Sequence, residues 1–185
     1  NGEDGSRETT TNSAAANKTI IGSIEPKVQG GLTNYVSWKF IDFNLTLTYS
    51  LGGHAYDYAT WLQSNGGTYH YLGNVPAYYK MEDTWQKTGD NAKLPQFAYG
   101  NANKASSRWL MSTDHLRVKN MTLGFTLPQS WSSKAGISKL RAYVSGNNLL
   151  TWKKKSLYVD PEVPVDGLCT FETPALRTVT FCLEI

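Results

Sequence analysis

Residues 41–51 alternate between apolar and polar side chains along their whole length. The apolar positions are Ile41, Phe43, Leu45, Leu47, Tyr49 and Leu51, and the polar positions are Asp42, Asn44, Thr46, Thr48 and Ser50. Because successive side chains of a β-strand point to opposite faces, the pattern predicts a strand that is apolar on one face and polar on the other. Its length, about ten residues, is what a tilted strand needs to cross a bilayer. A strand of a soluble sheet can show the same alternation, so the rest of the chain decides between the two.

Four more segments carry strand patterns, at about 28–39, 115–127, 139–152 and from 174 to the end. In the last of them Val179, Phe181, Leu183 and Ile185 alternate with Thr178, Thr180, Cys182 and Glu184. In the segment 115–127 the phase slips near residues 120–121, which predicts a β-bulge. One helical turn is predicted at 132–135. The fold class that follows is all-β and antiparallel, with five strands.

The connections between these strands are sharply unequal in length. Those near Phe40 and at 129–138 are short, whereas those at 54–112 and 153–173 are long. Outer-membrane barrels have this asymmetry, with short turns on the periplasmic side and long loops outside. We therefore predict that residues 1–27 are an extracellular loop leading into a barrel. Residues 28–185 are predicted to be barrel wall, with extracellular loops at 54–112 and 153–173.

Five strands with an apolar outer face cannot close a barrel. Open strand edges are not tolerated in lipid, because their backbone groups would have no hydrogen-bond partners. We therefore expect the chain to be part of a longer one.

Composition and charge exclude several classes of protein. The chain has no run of about 18 apolar residues, which excludes a membrane-spanning helix. The formal net charge of +3 is too weak and too scattered to indicate a nucleic-acid partner. The two cysteines, Cys169 and Cys182, are too few for a disulfide scaffold and lack metal-ligand spacing. They could pair in an oxidising compartment, but two free thiols are the expectation.

No arrangement of residues predicts catalysis or a bound cofactor. The three histidines, His54, His70 and His115, lie in or beside loops without the spacing of metal ligands or of a catalytic triad. Asp160 and Glu162 form a small carboxylate cluster, but their ligand set is incomplete for Ca²⁺. We therefore expect neither an enzyme nor a metal site.

Aromatic residues are concentrated in the long connection 54–112. Eleven Tyr and six Trp are many for 185 residues, and rings with a polar edge suit a membrane interface or a surface that binds sugar or peptide. The candidate ligand or partner contacts are Trp61, Tyr69, Tyr71, Tyr78, Tyr79 and Trp109. The alternative is that these rings pack a small core of the connection itself. In that alternative, residues 75–87 form a short helix with Tyr78, Met81 and Trp85 on one face.

Five sequence blocks follow one another between residue 20 and the end of the chain. They are IIGSIEPKVQGGLTN at 20–34, DHLRVKNMTLGFTLP at 114–128, LRAYVSGNNLLT at 140–151, DPE at 160–162 and PALRTVTF at 174–181. In this order they resemble the SusC/RagA family of TonB-dependent outer-membrane transporters of Bacteroidota. Two positions depart from the family pattern. Cys182 stands where glycine is usual, and the last strand stops at Ile185 instead of on an aromatic residue.

The resemblance implies that the chain is the last few strands of a plugged barrel of about 22 strands in the outer membrane. It implies import of glycans or peptides together with a SusD-like lipoprotein, driven by a TonB-ExbB-ExbD complex that acts through an N-terminal part outside this chain. Membrane lipid would contact the apolar face. The alternative function, from a different class, is a soluble secreted β-sandwich that binds carbohydrate through its Trp and Tyr rings.

Overall fold

The computed structural model describes residues 12, 14, 16, 18–64, 77, 79–98, 105–155, 157, 159–162 and 166–185. The strands in this part of the chain are β1 (Val28–Trp38), β2 (Ile41–Leu51), β3 (His54–Asp57), β4 (Leu110–Ser112), β5 (His115–Thr126), β6 (Arg141–Lys153), β7 (Leu168–Cys169) and β8 (Thr178–Glu184). The helices are α1 (Tyr58–Gln63) and α2 (Gln129–Ser132), with 3₁₀ turns at Met81–Asp83, Ser107–Trp109 and Ser133–Ala135. The chain divides into two compact units, one of residues 1–22 and 56–110, the other of residues 23–55 and 111–185.

The second unit is built on a five-stranded sheet in the order β1-β2-β5-β6-β8, with every neighbouring pair antiparallel. The five predicted strands are confirmed, and each pairs with the next of the five along the chain. β1 and β2 pair without interruption from Val28 opposite Leu51 to Trp38 opposite Ile41. The turn between them is only two residues long, and Lys39 takes a left-handed φ of 53° to close it.

The predicted bulge is confirmed one residue earlier than expected. Relative to β2, Lys119 is the extra residue, whereas in the pairing of β5 with β6 the register shifts between Val118 and Asn120 with Lys119 opposite two residues of β6, Asn148 and Leu149. The pairing of β5 with β2 shifts at the same place. The insertion changes the phase of the strand, which keeps Val118 and Met121 on one face although they are three residues apart.

The two faces of the sheet differ in chemistry along complete cross-strand rows. One row runs through Val36, Phe43, Leu123, Val144 and Phe181, one residue from each strand. The apolar face is exposed, and the Phe181 side chain is 81% accessible. A second apolar layer of the chain is not packed on this face within the described residues, so the face needs another apolar environment.

On the other face of the sheet, a row of polar residues runs through Thr33, Thr46, Asn120, Asn147 and Thr178. Its side chains bond to one another, with 3.3 Å between the Thr33 and Thr46 hydroxyls and 2.9 Å from Asn120 Nδ2 to Asn147 Oδ1. We call this side of the sheet, which carries residues 42, 44, 46, 48 and 50 of β2, the polar face.

Three expectations about local structure were wrong. The connection 54–112 is not irregular throughout, because it contains β3, α1 and β4. No helix covers the described part of 75–87, where the chain forms only the turn Met81–Asp83 before Thr84 becomes extended and pairs with Leu94. The last strand begins at Thr178, not at 174, because the Leu176 carbonyl accepts from the Asn148 side chain instead of joining the ladder.

Short elements complete the two units. The predicted helical turn near 132–135 is present as α2 and the 3₁₀ turn that follows it. In the first unit, Asp57 caps α1 by accepting a hydrogen bond from the Thr60 amide at 3.0 Å. Helices in the described part of the chain are all too short or too polar to cross a membrane.

Candidate functional site

An ion cluster on β5 fixes the connection between β6 and β8. The Arg117 side chain is 1% exposed, and its guanidinium donates to Asp160 Oδ1 at 2.5 Å and to Glu162 Oε2 at 3.0 Å. Lys119 Nζ lies 3.0 Å from the same Glu162 oxygen. Because Arg117 and Lys119 lie on β5, these contacts hold the segment Asp160–Glu162 against the polar face.

Asp160 is further held by backbone donors. The amides of Glu162 and Ala175 donate to its two carboxylate oxygens at 3.0 and 3.2 Å. Burial raises the pKa of Asp160, but the Glu162 amide and the Arg117 guanidinium outweigh this, so its pKa lies below the ordinary value. The cluster therefore contains two cations and two carboxylates, and their charges balance.

The ion cluster includes Asp160 and Glu162, the carboxylate pair that was considered as a Ca²⁺ site. Arg117 and Lys119 occupy the oxygens of Asp160 and Glu162 that a metal ion would need. Over the described ranges, no group of three or more His, Cys, Asp or Glu side chains is placed to hold a metal ion. Cys169 and Cys182 are not joined by a disulfide bond.

Tight backbone contacts hold together the ends of the strands next to the long connections. The Gly52 amide donates to Asp114 Oδ1 at 2.5 Å, and the Thr113 amide donates to the Gly53 carbonyl at 3.0 Å. A Cβ on Gly53 would come within 2.7 Å of Thr113 Oγ1, so only glycine fits there. The Gly52 amide is also the main reason that the pKa of Asp114 is lowered.

His115 lies beside these contacts and is 8% exposed. Its Nδ1 is 2.8 Å from the Thr113 carbonyl. Since a carbonyl can only accept, Nδ1 carries a hydrogen. His115 pairs with Ser50 of β2, which pairs with Gln29 of β1, so the three residues form one row of the polar face.

A cavity of about 750 Å³ lies against this row. Its lining residues are Ile24, Glu25, Pro26, Gln29, Gly30, Thr48, Tyr49, Ser50, Thr113, His115, Pro161 and Glu162. The segment held by Arg117 thus supplies one part of the lining, and the segment that leads into β1 supplies another. The polar face, the ion cluster and this cavity are the candidate site.

A second charged group lies at the opposite end of the polar face, near the short turns. The Arg141 guanidinium forms two hydrogen bonds to the carboxylate of Asp42, at 3.1 and 2.7 Å, and approaches Glu184 at 3.4 Å. Asp42 and Arg141 lie on β2 and β6, so the pair spans β5 between them. Gly124 of β5 lies underneath, and a Cβ there would be 2.5 Å from Asp42 Oδ1.

The predicted aromatic contacts lie in the first unit. Tyr79 is 7% exposed, with its ring edge-on to Phe97 at 5.8 Å, and Trp109 is 3% exposed. The Trp61 ring is half-buried and lies 5.1 Å from the Tyr58 ring. Tyr69, Tyr71 and Tyr78 lie outside the described residues. The contact role of the six residues stays a prediction, with Trp61 the most accessible of the three that are described.

Sequence reasoning missed Arg117, Asp114 and His115 as parts of one site. The signal that could have indicated the ion cluster was an acidic pair, Asp160 and Glu162, in a loop that follows a strand with cations at 117 and 119 on its polar side. No pattern within a single strand indicated which charges meet, because Arg117 and Glu162 are 45 residues apart.

Comparison with known proteins places these features in a family. No protein-family model matches the chain. TonB-dependent receptor P3 of Formosa agariphila is 32% identical over 149 residues, which are 80% of this chain and 14% of that protein. TonB-dependent receptor P26 of the same organism is 25% identical over 77% of this chain and 14% of its own length. The chain thus spans about one seventh of the length of these relatives.

Solved structures share the fold. A structure of the RagAB peptide importer in its closed-closed state matches with a TM-score of 0.79 and 24% identity, over 95% of this chain and 19% of that one. The open-open state matches with a TM-score of 0.77 and 23% identity, over the same shares. The first of these relatives shows that the chain belongs to the TonB-dependent receptors, and the sequence blocks on β1, β5, β6 and β8 resemble those of the SusC/RagA type.

Proposed function

We propose that the chain is part of the wall of an outer-membrane β-barrel that imports nutrients, either glycans or peptides. The observation that carries this is the exposed apolar face of the five-stranded sheet. In a soluble β-sandwich the apolar face of each sheet is buried against the other sheet. Here the apolar face is uncovered, and the hydrogen-bonded polar face carries the tight ion cluster, which is the arrangement of a wall between lipid and an aqueous lumen.

The dimensions of the sheet support this proposal. β1 and β2 are 11 residues long. At about 3.4 Å per residue and a tilt of about 40°, each spans about 28 Å along the membrane normal, close to the thickness of the hydrocarbon core. Exposed aromatic side chains lie near both ends of the apolar face, with Trp38 and Phe125 at the short turns and Tyr49 and Trp152 at the other end. Such rings suit the two membrane interfaces.

The outer edges of β1 and β8 imply further strands. Among the described residues neither edge pairs with another strand. Unpaired backbone groups in lipid cost several kcal/mol each, so the proposal requires closure by strands from elsewhere in a longer polypeptide. A closed barrel of about 22 strands around a plug would meet this need. In the proposed orientation, the turns at Lys39 and α2 face the periplasm, and the connections 54–112 and 153–173 and residues 1–27 lie outside the cell.

The proposed partners follow from the family. A SusD-like lipoprotein would cover the outer mouth, and a TonB-ExbB-ExbD complex would supply energy from the periplasmic side. The names of the related proteins support this proposal, since they are TonB-dependent receptors and the two-component RagAB peptide importer. We propose Trp61, with Tyr69, Tyr71, Tyr78, Tyr79 and Trp109, as contacts of the outer connection with substrate or lipoprotein.

The test is the location and mass of the natural polypeptide, followed by an uptake assay. An antibody against residues 54–112 should detect an outer-membrane protein several times heavier than the 20.6 kDa of this chain. Cells that lack the gene should take up less labelled peptide or glycan than wild-type cells. A 20.6 kDa species in the soluble fraction would instead support the carbohydrate-binding β-sandwich.

A further inference from the structure

The cavity beside His115 has walls that suit an aliphatic group better than a sugar ring. Ile24, Pro26 and Pro161 contribute apolar surface to its lining. The one aromatic residue in the lining is Tyr49, and its ring lies against Gly30 on the apolar side of the sheet, where a Cβ would be 2.9 Å from the Tyr49 hydroxyl. The described lining therefore has no flat ring on which a sugar could stack.

The charge of the cavity is negative. Two charged side chains, Glu25 and Glu162, belong to its lining. The Glu162 carboxylate is matched by Lys119 and Arg117, and Arg117 is in turn shared with Asp160. Glu25 is exposed and forms no salt bridge with any residue in the described ranges. An unmatched carboxylate beside apolar walls favours a cationic ligand with an apolar stem.

The polar groups of the lining can act as hydrogen-bond acceptors. His115 uses Nδ1 to donate to Thr113, so that Nε2 is an acceptor whenever the ring carries a single hydrogen. The Ser50 hydroxyl lies in the same row and can accept as well. A primary ammonium has three donors and no acceptor, so it matches a carboxylate, an imidazole nitrogen and a hydroxyl.

The walls are held in place before any ligand binds. Arg117 fixes the Asp160–Glu162 segment, as described above. Ile24 packs so closely on Gly167 that a Cβ at Gly167 would be 2.6 Å from Ile24 Cγ2, and the positive φ of 68° also favours glycine there. The Ser23 carbonyl accepts from the His54 amide at 2.9 Å. A preformed cavity loses little conformational entropy when it is filled.

We infer that this cavity is a subsite for a primary ammonium on an aliphatic stem, the group carried by a lysine side chain or by the amino terminus of a peptide. The inference rests on the proposed import function and makes it more specific. The stem lies against Ile24, Pro26 and Pro161, and the ammonium binds Glu25 with His115 and Ser50 as further acceptors.

The test uses the purified full-length transporter and four synthetic tetrapeptides in calorimetric titrations. One peptide contains a single lysine, and a second has norleucine in its place. The other two are the Nα-acetylated forms of each. The peptide with the required ammonium should bind about tenfold more tightly than its counterpart without it, the size expected for hydrogen bonds to a charged group. If affinity falls when norleucine replaces lysine, the lysine side chain is the ligand. If affinity falls on acetylation, the ligand is the amino terminus.

Glu25→Gln should reduce that ratio of affinities to about one. Glu82→Gln is the matched control, because Glu82 is an exposed carboxylate outside the lining, with a side chain that is 77% accessible. It should leave the ratio as it is in the wild type.

Three results would overturn the inference. These are equal binding of all four peptides, no binding of any of them, and an equal effect of Glu25→Gln and Glu82→Gln. The proposed function is tested separately by the uptake of labelled peptides and glycans in cells with and without the gene. Normal import together with any of the three results rejects the subsite alone, whereas unchanged uptake in the deletion strain rejects the import function.

Discussion

At the scale of single residues, glycine positions decide which charges can meet. The Asp42–Arg141 pair reaches across β5 only because Gly124 has no side chain. A residue with a Cβ at 124 would separate the guanidinium from the carboxylate, and both groups are partly buried. An ion pair that loses its geometry in such a place leaves its charges poorly compensated.

Gly124→Ala should lower the free energy of unfolding of the full-length protein by about 1–3 kcal/mol, the range for a hydrogen-bonded charged group that loses its partner. Urea unfolding monitored by tryptophan fluorescence measures this. The control is the same substitution in the Asp42→Ala/Arg141→Ala double variant, where it should cost much less. An equal cost in both backgrounds would show that Gly124 does not act through the ion pair.

At the scale of elements, the connection between β6 and β8 is held by charged residues, some of which lie outside the five-stranded sheet. The folded pKa of Asp160 is lower than its ordinary value of 3.8. A lowered folded pKa means that the ionised carboxylate stabilises the folded connection. Its contribution is complete above the unfolded pKa and is lost as the pH falls through the folded pKa.

The stability difference between the wild type and Asp160→Asn should therefore be largest above about pH 5 and should shrink as the pH falls below about 4. Limited proteolysis of the connection 153–173 between pH 3 and 7 measures it. Glu82→Gln serves as the comparison, because Glu82 is an exposed carboxylate whose salt bridge is with Lys80. A difference that is constant over this pH range would mean that folding does not shift the pKa of Asp160.

The strands of the sheet allow a second prediction at this scale. Arginine at Leu45 on the apolar face should destabilise the protein by about 2–4 kcal/mol, whereas at Ile41 or Leu51, near the strand ends, it should cost about 0–1 kcal/mol. Arginine at Thr46 on the polar face is the matched control and should have little effect. The amount of folded protein in isolated outer membranes, with unfolding in urea, measures the series. A cost that does not depend on depth would argue against lipid around this sheet.

Individual strands also show how much of the fold could be predicted from the sequence. The alternation at 41–51 was sufficient to predict β2, because a period of two can be read within a single strand. The start of β8 was wrong because the Asn148 side chain, from another strand, binds the Leu176 carbonyl. The ion cluster could not be predicted either, because it joins Arg117 and Asp160, which are 43 residues apart in the sequence. Tyr79 and Trp109 could be named from the sequence, and their burial agrees with the alternative in which the rings pack a core of the connection, but the sequence alone left both interpretations open.

At the scale of the whole molecule, amide hydrogen exchange in the edge strands β1 and β8 tests whether further strands close the proposed barrel. In the full-length protein in detergent, peptides from β1 and β8 should be as well protected from amide hydrogen exchange as peptides from β2 and β5. Mass spectrometry after exchange measures this, with the protein unfolded in urea as the fully exchanging reference. Fast exchange in β1 and β8 alone would indicate an open sheet and would contradict the proposed barrel.

The attachment of Asp160 and Glu162 to Arg117 has a consequence for the history of such proteins. A long surface segment that is fastened near its middle behaves as two shorter segments, and each closes with less loss of chain entropy than the whole. Insertions on either side of the fastening point can then accumulate without displacing it. Related proteins can therefore diversify the two halves independently while the three residues that join them to β5 remain the same.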